Sequence, residues 1–196
     1  MPIAQDFKYA YEGDKGGMTG GMGSYTMLDG RMPFLTDSDI QQADRLMAEV
    51  VTALEKVSGA PYRGFLYGQF MATRDGVTII EFNVRLGDPE AINVMALWDC
   101  DTAEILHNAA LGKLKPEELT FEKQASLCKY LVPAGYPEKT QKDLLFNLDE
   151  TKIFNAGFDI RYASVEKAGS EFRTLGSRTL AIIGKGENLA ALSAEM

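Results

Sequence analysis

The chain has 196 residues, of which 45% are hydrophobic and 24% charged, close to the average for folded globular proteins, so extensive disorder and a collagen-like repeat are excluded. Its 28 acidic and 20 basic side chains give a formal charge of −8, which disfavours nucleic acid as a partner. No apolar run is long enough to predict a membrane span, and the first residues lack a signal-peptide pattern, so we expect a cytoplasmic protein without membrane contact.

The first distinctive segment is a glycine-rich run within residues 11 to 30. Its glycines are too dense for a regular helix or strand, and we predict a loop. Exposed backbone N–H groups beside Thr19 would form a concave site for an anion, with Asp14 available to hold a hydroxyl or an amine. A flexible connector is the alternative, because the Lys-Ser pair of a phosphate-binding P-loop does not follow the glycines.

The clearest helix pattern follows the glycine run. Apolar residues recur at steps of three and four between Ile40 and Val57 and predict a helix over 36–58, with Thr36 or Asp37 as N-cap and Gly59 after its end. Further helices are predicted to begin near residue 90 and to span 101–111. The first of these helices is expected to provide scaffold.

Two β-rich runs, over 64–73 and 77–85, are separated by Arg74, Asp75 and Gly76. A three-residue turn that ends in glycine predicts an antiparallel hairpin. Such a turn pairs residue 73 with residue 77, and counting back along the ladder places Gln69 opposite Glu81.

The second strand of this hairpin carries an alternating polar face. Because side chains on a strand alternate, Glu81, Asn83 and Arg85 lie on one face, and Gln69 joins them from the neighbouring strand. Mg²⁺ or Mn²⁺ prefers such oxygen ligands, and Arg85 is placed to hold a phosphoryl oxygen. The alternative is an ordinary solvent-exposed face, which often carries the same residue types.

The remaining third of the chain has a different residue pattern. Short β-like runs punctuated by glycine cover 126–132, 153–158, 161–165 and 179–183, and a helical segment begins at 189 and stops after about two turns. We therefore predict an α+β fold: an antiparallel sheet with flanking helices over residues 1–118, then a small β-rich domain over 119–196, which we expect to be truncated at its end. Cys100 and Cys128 stand far apart without a CxxC pattern and are expected to be reduced, buried thiols.

Several strings of the sequence resemble one enzyme family. They are GDKGGMTGGMG at 13–23, GFLY at 64–67, EFNVRLGDPE at 81–90, AGYPEK at 134–139, FNAG at 154–157 and GSRTL at 176–180. In this order and approximate spacing they resemble the phosphoribosylamine–glycine ligase family, also called glycinamide ribonucleotide synthetases, of the ATP-grasp superfamily.

The resemblance implies a reaction, its substrates and its site residues. In that family ATP phosphorylates the carboxylate of glycine, and the amine of 5-phosphoribosylamine attacks the acyl phosphate, in de novo purine biosynthesis. Glu81 and Asn83 fall on the family's metal ligands for Mg²⁺ or Mn²⁺, and Gln69 falls where ATP-grasp enzymes commonly place another. Arg85 would stabilise the transferring phosphoryl group as the catalytic residue. Asp14, Thr19 and Asp88 are implied on the substrate side.

The resemblance also limits what this chain is expected to do alone. Members of the family are more than twice as long, and the N-terminal domain and part of the ATP site have no counterpart before residue 2. We therefore expect a chain that is incompetent by itself and that needs the missing N-terminal half or a partner chain. Two alternatives stay open: a non-catalytic or split-subunit module that binds a partner, and another ATP-grasp carboxylate–amine ligase.

Overall fold

A computed structural model describes all 196 residues and shows an α+β protein with antiparallel sheets, as predicted. The strands are β1 (Gln5–Tyr11), β2 (Lys15–Thr26), β3 (Tyr67–Thr73), β4 (Gly76–Asn83), β5 (Ala125–Leu131), β6 (Leu145–Phe146), β7 (Asp159–Tyr162), β8 (Val165–Ala168), β9 (Glu171–Thr174) and β10 (Leu180–Gly186). The helices are α1 (Asp37–Ser58), α2 (Glu90–Met95), α3 (Thr102–Leu111), α4 (Glu150–Asn155) and α5 (Leu189–Glu195), with one turn of 3₁₀ helix at Pro116–Glu118. No helix is both long enough and apolar enough to cross a membrane.

The chain divides into two compact units. The first, called the sheet unit, consists of residues Met1–Arg31, Asp88–Leu97 and Glu122–Met196; the second, called the hairpin unit, consists of Met32–Gly87 and Trp98–Phe121. The sheet unit therefore contains residues from both sides of the domain boundary predicted near residue 118. The reason is that β2 pairs with β5 across about 100 residues of sequence, which joins the start of the chain to its last third.

The sheet unit is built on a five-stranded antiparallel sheet in the order β1-β2-β5-β10-β7. One core cluster contains Cys128, Tyr130, Ala181 and Ile183 from its central strands, with side chains of α2 packed against them. A second cluster contains Leu127, Phe158 and Leu192 of α5. Alternating residues of β5 thus enter different clusters, as expected for a strand covered on both faces.

The glycine-rich run is a strand, and the predicted loop is wrong for most of its length. Residues 15–26 form β2, which pairs with β1 in an irregular ladder and with β5 over residues 23–26, so the last residues of β2 have ladder partners on both sides. Glycine is needed for close approach: a Cβ on Gly23 would collide with the carbonyl oxygen of Cys128. Gly21 has φ +117° and lies against Pro89.

The hairpin unit contains the helices α1 and α3 and the strands β3 and β4. The N-cap of α1 is Thr36, whose hydroxyl accepts from the Asp39 backbone N–H, while the Asp39 carboxylate accepts from the Thr36 N–H. Gly59 follows in the left-handed conformation. The predicted helix over 36–58 is confirmed, as are those near residue 90 and after Asp101.

The hairpin is confirmed, but its turn has one residue fewer than predicted. Thr73 pairs with Gly76 and not with Val77, so the ladder next to the turn is shifted by one residue. An irregularity between Gln69 and Phe70 leaves one extra residue on β4 and restores the predicted pairing of Gln69 with Glu81. The register at the polar face is therefore as predicted, although it arises in a different way.

The last third contains two sheets. Strands β5, β7 and β10 complete the large sheet, while β6, β9 and β8 form a separate three-stranded sheet. The β-like run over 153–158 is wrong as a strand, because residues 150–155 form α4. Asp149 caps this helix by accepting from the Lys152 N–H, and Gly157 at φ +84° follows it. These local cap signals outweigh the β propensity of Ile153 and Phe154.

Candidate functional site

The predicted metal-binding side chains lie together at one end of the β3–β4 hairpin. Gln69 stands opposite Glu81 in the ladder, and directly opposed residues of an antiparallel pair have Cβ atoms about 5 Å apart. The Asn83 amide nitrogen donates to Glu81 Oε1 at 2.9 Å, so these two side chains point to the same side of β4. The group offers a carboxylate and two amide oxygens, and Glu81 is exposed.

This donor set suits a hard divalent cation. Mg²⁺ and Mn²⁺ take carboxylate and carbonyl oxygens, complete their coordination with water or phosphate, and do not need histidine or cysteine. In the ligand-free arrangement Asn83 offers its nitrogen to Glu81, and rotation of the amide by half a turn presents Oδ1 instead. The residues therefore fit the predicted ion.

Arg85 lies just beyond the end of β4 and is exposed. Its guanidinium donates to the backbone carbonyl of Leu86 at 2.8 Å, which uses one of its five N–H groups. The remaining donors are available for an anion. Arg85 thus extends the polar end of the hairpin with a fixed positive charge.

In the sheet unit, the two residues of the glycine run that the resemblance implies on the substrate side lie in different surroundings. Asp14 lies in the turn between β1 and β2 with φ 57°, and its side chain is exposed. Thr19 lies within β2, where its hydroxyl donates to the Lys8 carbonyl at 2.8 Å and accepts from the Gly21 N–H at 3.0 Å. The hydroxyl of Thr19 therefore links β2 to β1, while the side chain of Asp14 is exposed to solvent.

Asp88 begins the segment that leads into α2 and is held on both carboxylate oxygens. Tyr130 donates from its hydroxyl to Oδ1 at 2.7 Å, and Arg178 donates to Oδ2 at 2.9 Å. Burial, followed by the hydrogen bond to Asp88, raises the pKa of Tyr130, so the phenol remains protonated and keeps its donor role. Asp88 is consequently a carboxylate in a fixed orientation.

Arg178, which the sequence reasoning did not single out, is the partner of the predicted site residue Asp88. Besides Asp88 Oδ2, it donates to the carbonyls of Gly20, Gly21 and Asp88 at 3.0–3.1 Å, and its guanidinium lies 4.6 Å from the centre of the Tyr130 ring. Its side chain is 16% exposed. The one available signal is that Arg178 falls within the GSRTL string quoted for the resemblance.

Comparison with known proteins agrees with these features. The family model described as "Phosphoribosylglycinamide synthetase, ATP-grasp (A) domain" matches residues 1–91. Phosphoribosylamine–glycine ligase of Methanoregula boonei is 48% identical over 191 residues, which are 97% of this chain and 43% of the relative. The ligase of Thermococcus kodakarensis is 45% identical, over 96% of this chain and 42% of its own length. The chain thus spans about two fifths of the length of these curated relatives.

Solved structures show the same relationship. The crystal structure of phosphoribosylamine–glycine ligase from Thermotoga maritima matches 99% of this chain and 46% of its own with a TM-score of 0.79 and 29% identity. Phosphoribosylglycinamide synthetase from Anaerococcus prevotii, at 15% identity and a TM-score of 0.60, shows the shared fold. The resemblance stated from the motifs is confirmed: the chain is similar to the C-terminal part of phosphoribosylamine–glycine ligases.

Proposed function

We propose that the chain provides part of an ATP-dependent ligase that joins glycine to 5-phosphoribosylamine in de novo purine biosynthesis. The observation that carries this proposal is the pairing of Gln69 with Glu81, with Asn83 bonded to Glu81, in a chain 48% identical to a phosphoribosylamine–glycine ligase. In the reaction, the glycine carboxylate takes the terminal phosphoryl group of ATP. The amine of phosphoribosylamine then forms the new C–N bond as phosphate leaves.

The hairpin residues are proposed to act on the phosphate side of this reaction. Gln69, Glu81 and Asn83 would hold Mg²⁺ or Mn²⁺, which when bound neutralises the charge that opposes attack of a carboxylate on a triphosphate. Arg85 holds a permanent positive charge beside them and is proposed to stabilise the transferring phosphoryl oxygens. Its exposed guanidinium retains donors for this purpose.

The sheet-unit residues are proposed to act on the substrate side. Asp88 presents a carboxylate whose two oxygens are each fixed by one donor, which favours recognition of a hydroxyl or amine in one orientation. Asp14 contributes a second, exposed carboxylate in the β1–β2 turn. Thr19 holds the backbone of β2 in place through the two hydrogen bonds of its hydroxyl group.

The chain alone is proposed to be catalytically incompetent. It spans about two fifths of the relatives' length, and a nucleotide site shared with residues outside it would match the triphosphate charge only in part. Its partner is therefore the N-terminal part of such a ligase, in the same or a separate polypeptide. The cytoplasmic location remains part of this proposal.

Reconstitution tests the activity. The chain is mixed with the N-terminal portion of the Methanoregula boonei ligase, which has no counterpart in this chain. Phosphate release is then measured with ATP, glycine and phosphoribosylamine. We expect release that requires both substrates and falls about 100-fold in Glu81→Ala, while Asp159→Asn, an exposed acid on β7, has no effect. A folded complex without glycine-dependent release would favour the non-catalytic module, and release with a different carboxylate would favour another ATP-grasp ligase.

Metal binding is tested on the chain by itself. Titration with Mn²⁺, followed by its paramagnetic broadening of NMR signals, is expected to affect residues at the Gln69 and Glu81 pair first. Glu81→Ala should weaken this effect at least tenfold, because the single carboxylate of the set is removed. Equal affinity in both proteins would contradict the assignment of Glu81 as a ligand.

A further inference from the structure

A surface carboxylate in the sheet unit is held by two side chains that are themselves largely covered. The side chain of Asp88 is 45% exposed, whereas that of Arg178 is 16% exposed and Tyr130 is 7% exposed. Fixing an exposed side chain in one rotamer costs conformational entropy, and an ion pair with an exposed partner adds little to stability. Two covered donors directed at one exposed acceptor therefore indicate a role in orienting the carboxylate.

The Asp88 carboxylate keeps unused acceptor positions. An ionised carboxylate accepts at about four positions, and Asp88 uses one on each oxygen, for Tyr130 and for Arg178. Because the side chain is nearly half exposed, the other positions are open to a hydroxyl or an amine that arrives from solvent. Their directions are set by the two donors already bound.

The same guanidinium also holds the glycine-rich part of β2. Arg178 Nη1 donates to the carbonyl oxygens of Gly20 and Gly21, at 3.1 and 3.0 Å. A Cβ on Gly20 would lie 3.3 Å from Arg178 Cζ, so the glycine leaves room for the guanidinium. Gly21 in turn donates its N–H to the Thr19 hydroxyl. Arg178 thus connects Asp88 and Thr19, two of the residues implied on the substrate side.

Arginine suits these contacts better than lysine. The planar guanidinium presents five N–H donors in a fixed fork: Nη1 serves three carbonyls, including that of Asp88, and Nη2 serves the Asp88 carboxylate. The guanidinium carbon also lies over the Tyr130 ring, 4.6 Å from its centre. A lysine ammonium offers three donors at a single point and cannot reproduce the fork.

We infer that Arg178 is a positioning residue for the substrate side of the ligase: it holds the Asp88 carboxylate in one orientation for the incoming hydroxyl or amine. The inference rests on the proposed function for the identity of the substrates, glycine and phosphoribosylamine. Arg178 acts through Asp88 in this role and does not itself contact the reacting atoms. Because Arg178 lies just before β10, the last third of the chain then contributes to substrate binding as well as to the fold.

The orientation of Asp88 is measured in the 196-residue chain. Three-bond NMR couplings across χ1 of Asp88 should report one rotamer in the parent protein and averaged rotamers in Arg178→Lys, because the fork is lost. Arg178→Gln, which removes the charge, is a second variant with the same expectation. Arg173→Lys is the control, because Arg173 pairs with Glu166 elsewhere in the sheet unit. A single Asp88 rotamer in the folded Arg178 variants would overturn the inference.

Kinetics of the reconstituted complex separate positioning from stability. Arg178→Lys should raise the KM for the substrate that Asp88 binds, glycine or phosphoribosylamine, about tenfold, because the carboxylate is no longer oriented. The KM for ATP should stay within about twofold, since Asp88 is placed on the substrate side. A smaller amount of folded protein would lower the apparent kcat and leave every KM unchanged, and that result would contradict the positioning role.

Asp88→Asn determines whether Arg178 acts through Asp88. In this background Arg178→Lys should raise the same KM by less than about twofold, because the group that it orients has already been changed. An equal rise in both backgrounds would show that Arg178 acts independently of Asp88. If Asp88 loses its single rotamer in Arg178→Lys but the parent complex releases no phosphate, the proposed function fails and the orientation of Asp88 by Arg178 stands. If the complex is active and Arg178→Lys changes no KM, the positioning role fails and the function stands.

Discussion

At the scale of single residues, Gly23 shows why a glycine can be required within a regular strand. It lies in β2 between β1 and β5, paired with Phe7 and Lys129, and the carbonyl of Cys128 occupies the position where a side chain would begin. The obstacle is backbone, which cannot rotate away as a side chain does. The glycine therefore sets the spacing of two strands in the sheet unit.

Replacement of Gly23 by alanine should destabilise the protein by about 2 kcal/mol or more, because β2 and β5 must separate locally to admit the methyl group. The measurement is the free energy of unfolding from urea denaturation followed by circular dichroism. Gly186→Ala, in β10, is the matched control, because an added Cβ there would meet Leu192 at ordinary contact distances of 3.4–3.7 Å. Equal losses in the two variants would show that the Cys128 carbonyl is not the cause.

Asp6 gives the stability of the sheet unit a dependence on pH. Its folded-state pKa of about 6 lies above its ordinary value of 3.8, so between these values the folded protein binds more protons than the unfolded chain. The contribution of Asp6 to stability is therefore lost as the pH rises from about 4 through 6. The group is best tolerated in its neutral form.

The expected outcome is a change in the relative stabilities of the parent protein and Asp6→Asn. Between pH 4 and pH 7 the free energy of unfolding of the parent should fall by about 1 to 2 kcal/mol relative to the variant, which has no ionisable group at this position. Urea denaturation at several pH values measures the difference. A difference that does not vary with pH would mean that Asp6 titrates normally.

At the scale of elements, the ends of α1 are fixed by local interactions. Thr36 and Asp39 form a capping box. The Asp39 carboxylate accepts from the Thr36 hydroxyl and from the Thr36 backbone N–H, which lowers the pKa of Asp39. Gly59 supplies the left-handed residue after the last turn. These signals are contained within a few residues of sequence, and for that reason the helix was predicted with its limits.

Thr36→Ala should lower the free energy of unfolding by about 1 kcal/mol, because the Asp39 N–H at the start of α1 loses its acceptor. Thr52→Ala on the same helix is the control: its hydroxyl bonds back to the Ala48 carbonyl within the helix, so alanine should be neutral or slightly stabilising. Thermal denaturation of both variants tests the pair. A larger loss in Thr52→Ala would contradict the capping role.

Elements whose state depends on distant partners were predicted less well. Residues 23–26 of β2 pair with β5, about 100 residues further along the chain, and no local sequence pattern predicts that pairing. The extra residue in β4 also has no sequence signal, although it preserves the pairing of Gln69 with Glu81. The hairpin residues were found because their spacing is local, whereas Arg178 contacts Asp88 across 90 residues of sequence.

At the scale of the whole molecule, the large sheet joins segments that are far apart in the chain. Strands β1 and β2 come from the first 31 residues, and β5, β10 and β7 come from the last third. A division of the sequence near residue 118 therefore separates β2 from β5. The α+β class could be predicted from the patterns, but this interleaving of segments could not.

Expression of residues 1–118 and 119–196 as separate chains should show the consequence. In the first fragment, backbone amides within residues 23–26 of β2 should lose protection from hydrogen exchange, because the ladder to β5 is absent. Mixing the two fragments should restore protection in proportion to complex formation. Full protection of β2 in the isolated 1–118 fragment would instead support two independent domains divided near residue 118.

The burial of Cys128 beneath α2 also determines how this protein can be labelled. Burial and the nearby Asp88 charge raise the Cys128 pKa to about 12, so at neutral pH the thiol stays protonated and unreactive. Cys100, the other free cysteine, is partly exposed. A maleimide dye added to the native protein should therefore attach at a single position, Cys100, and provide a fluorescent reporter without removal of any native cysteine.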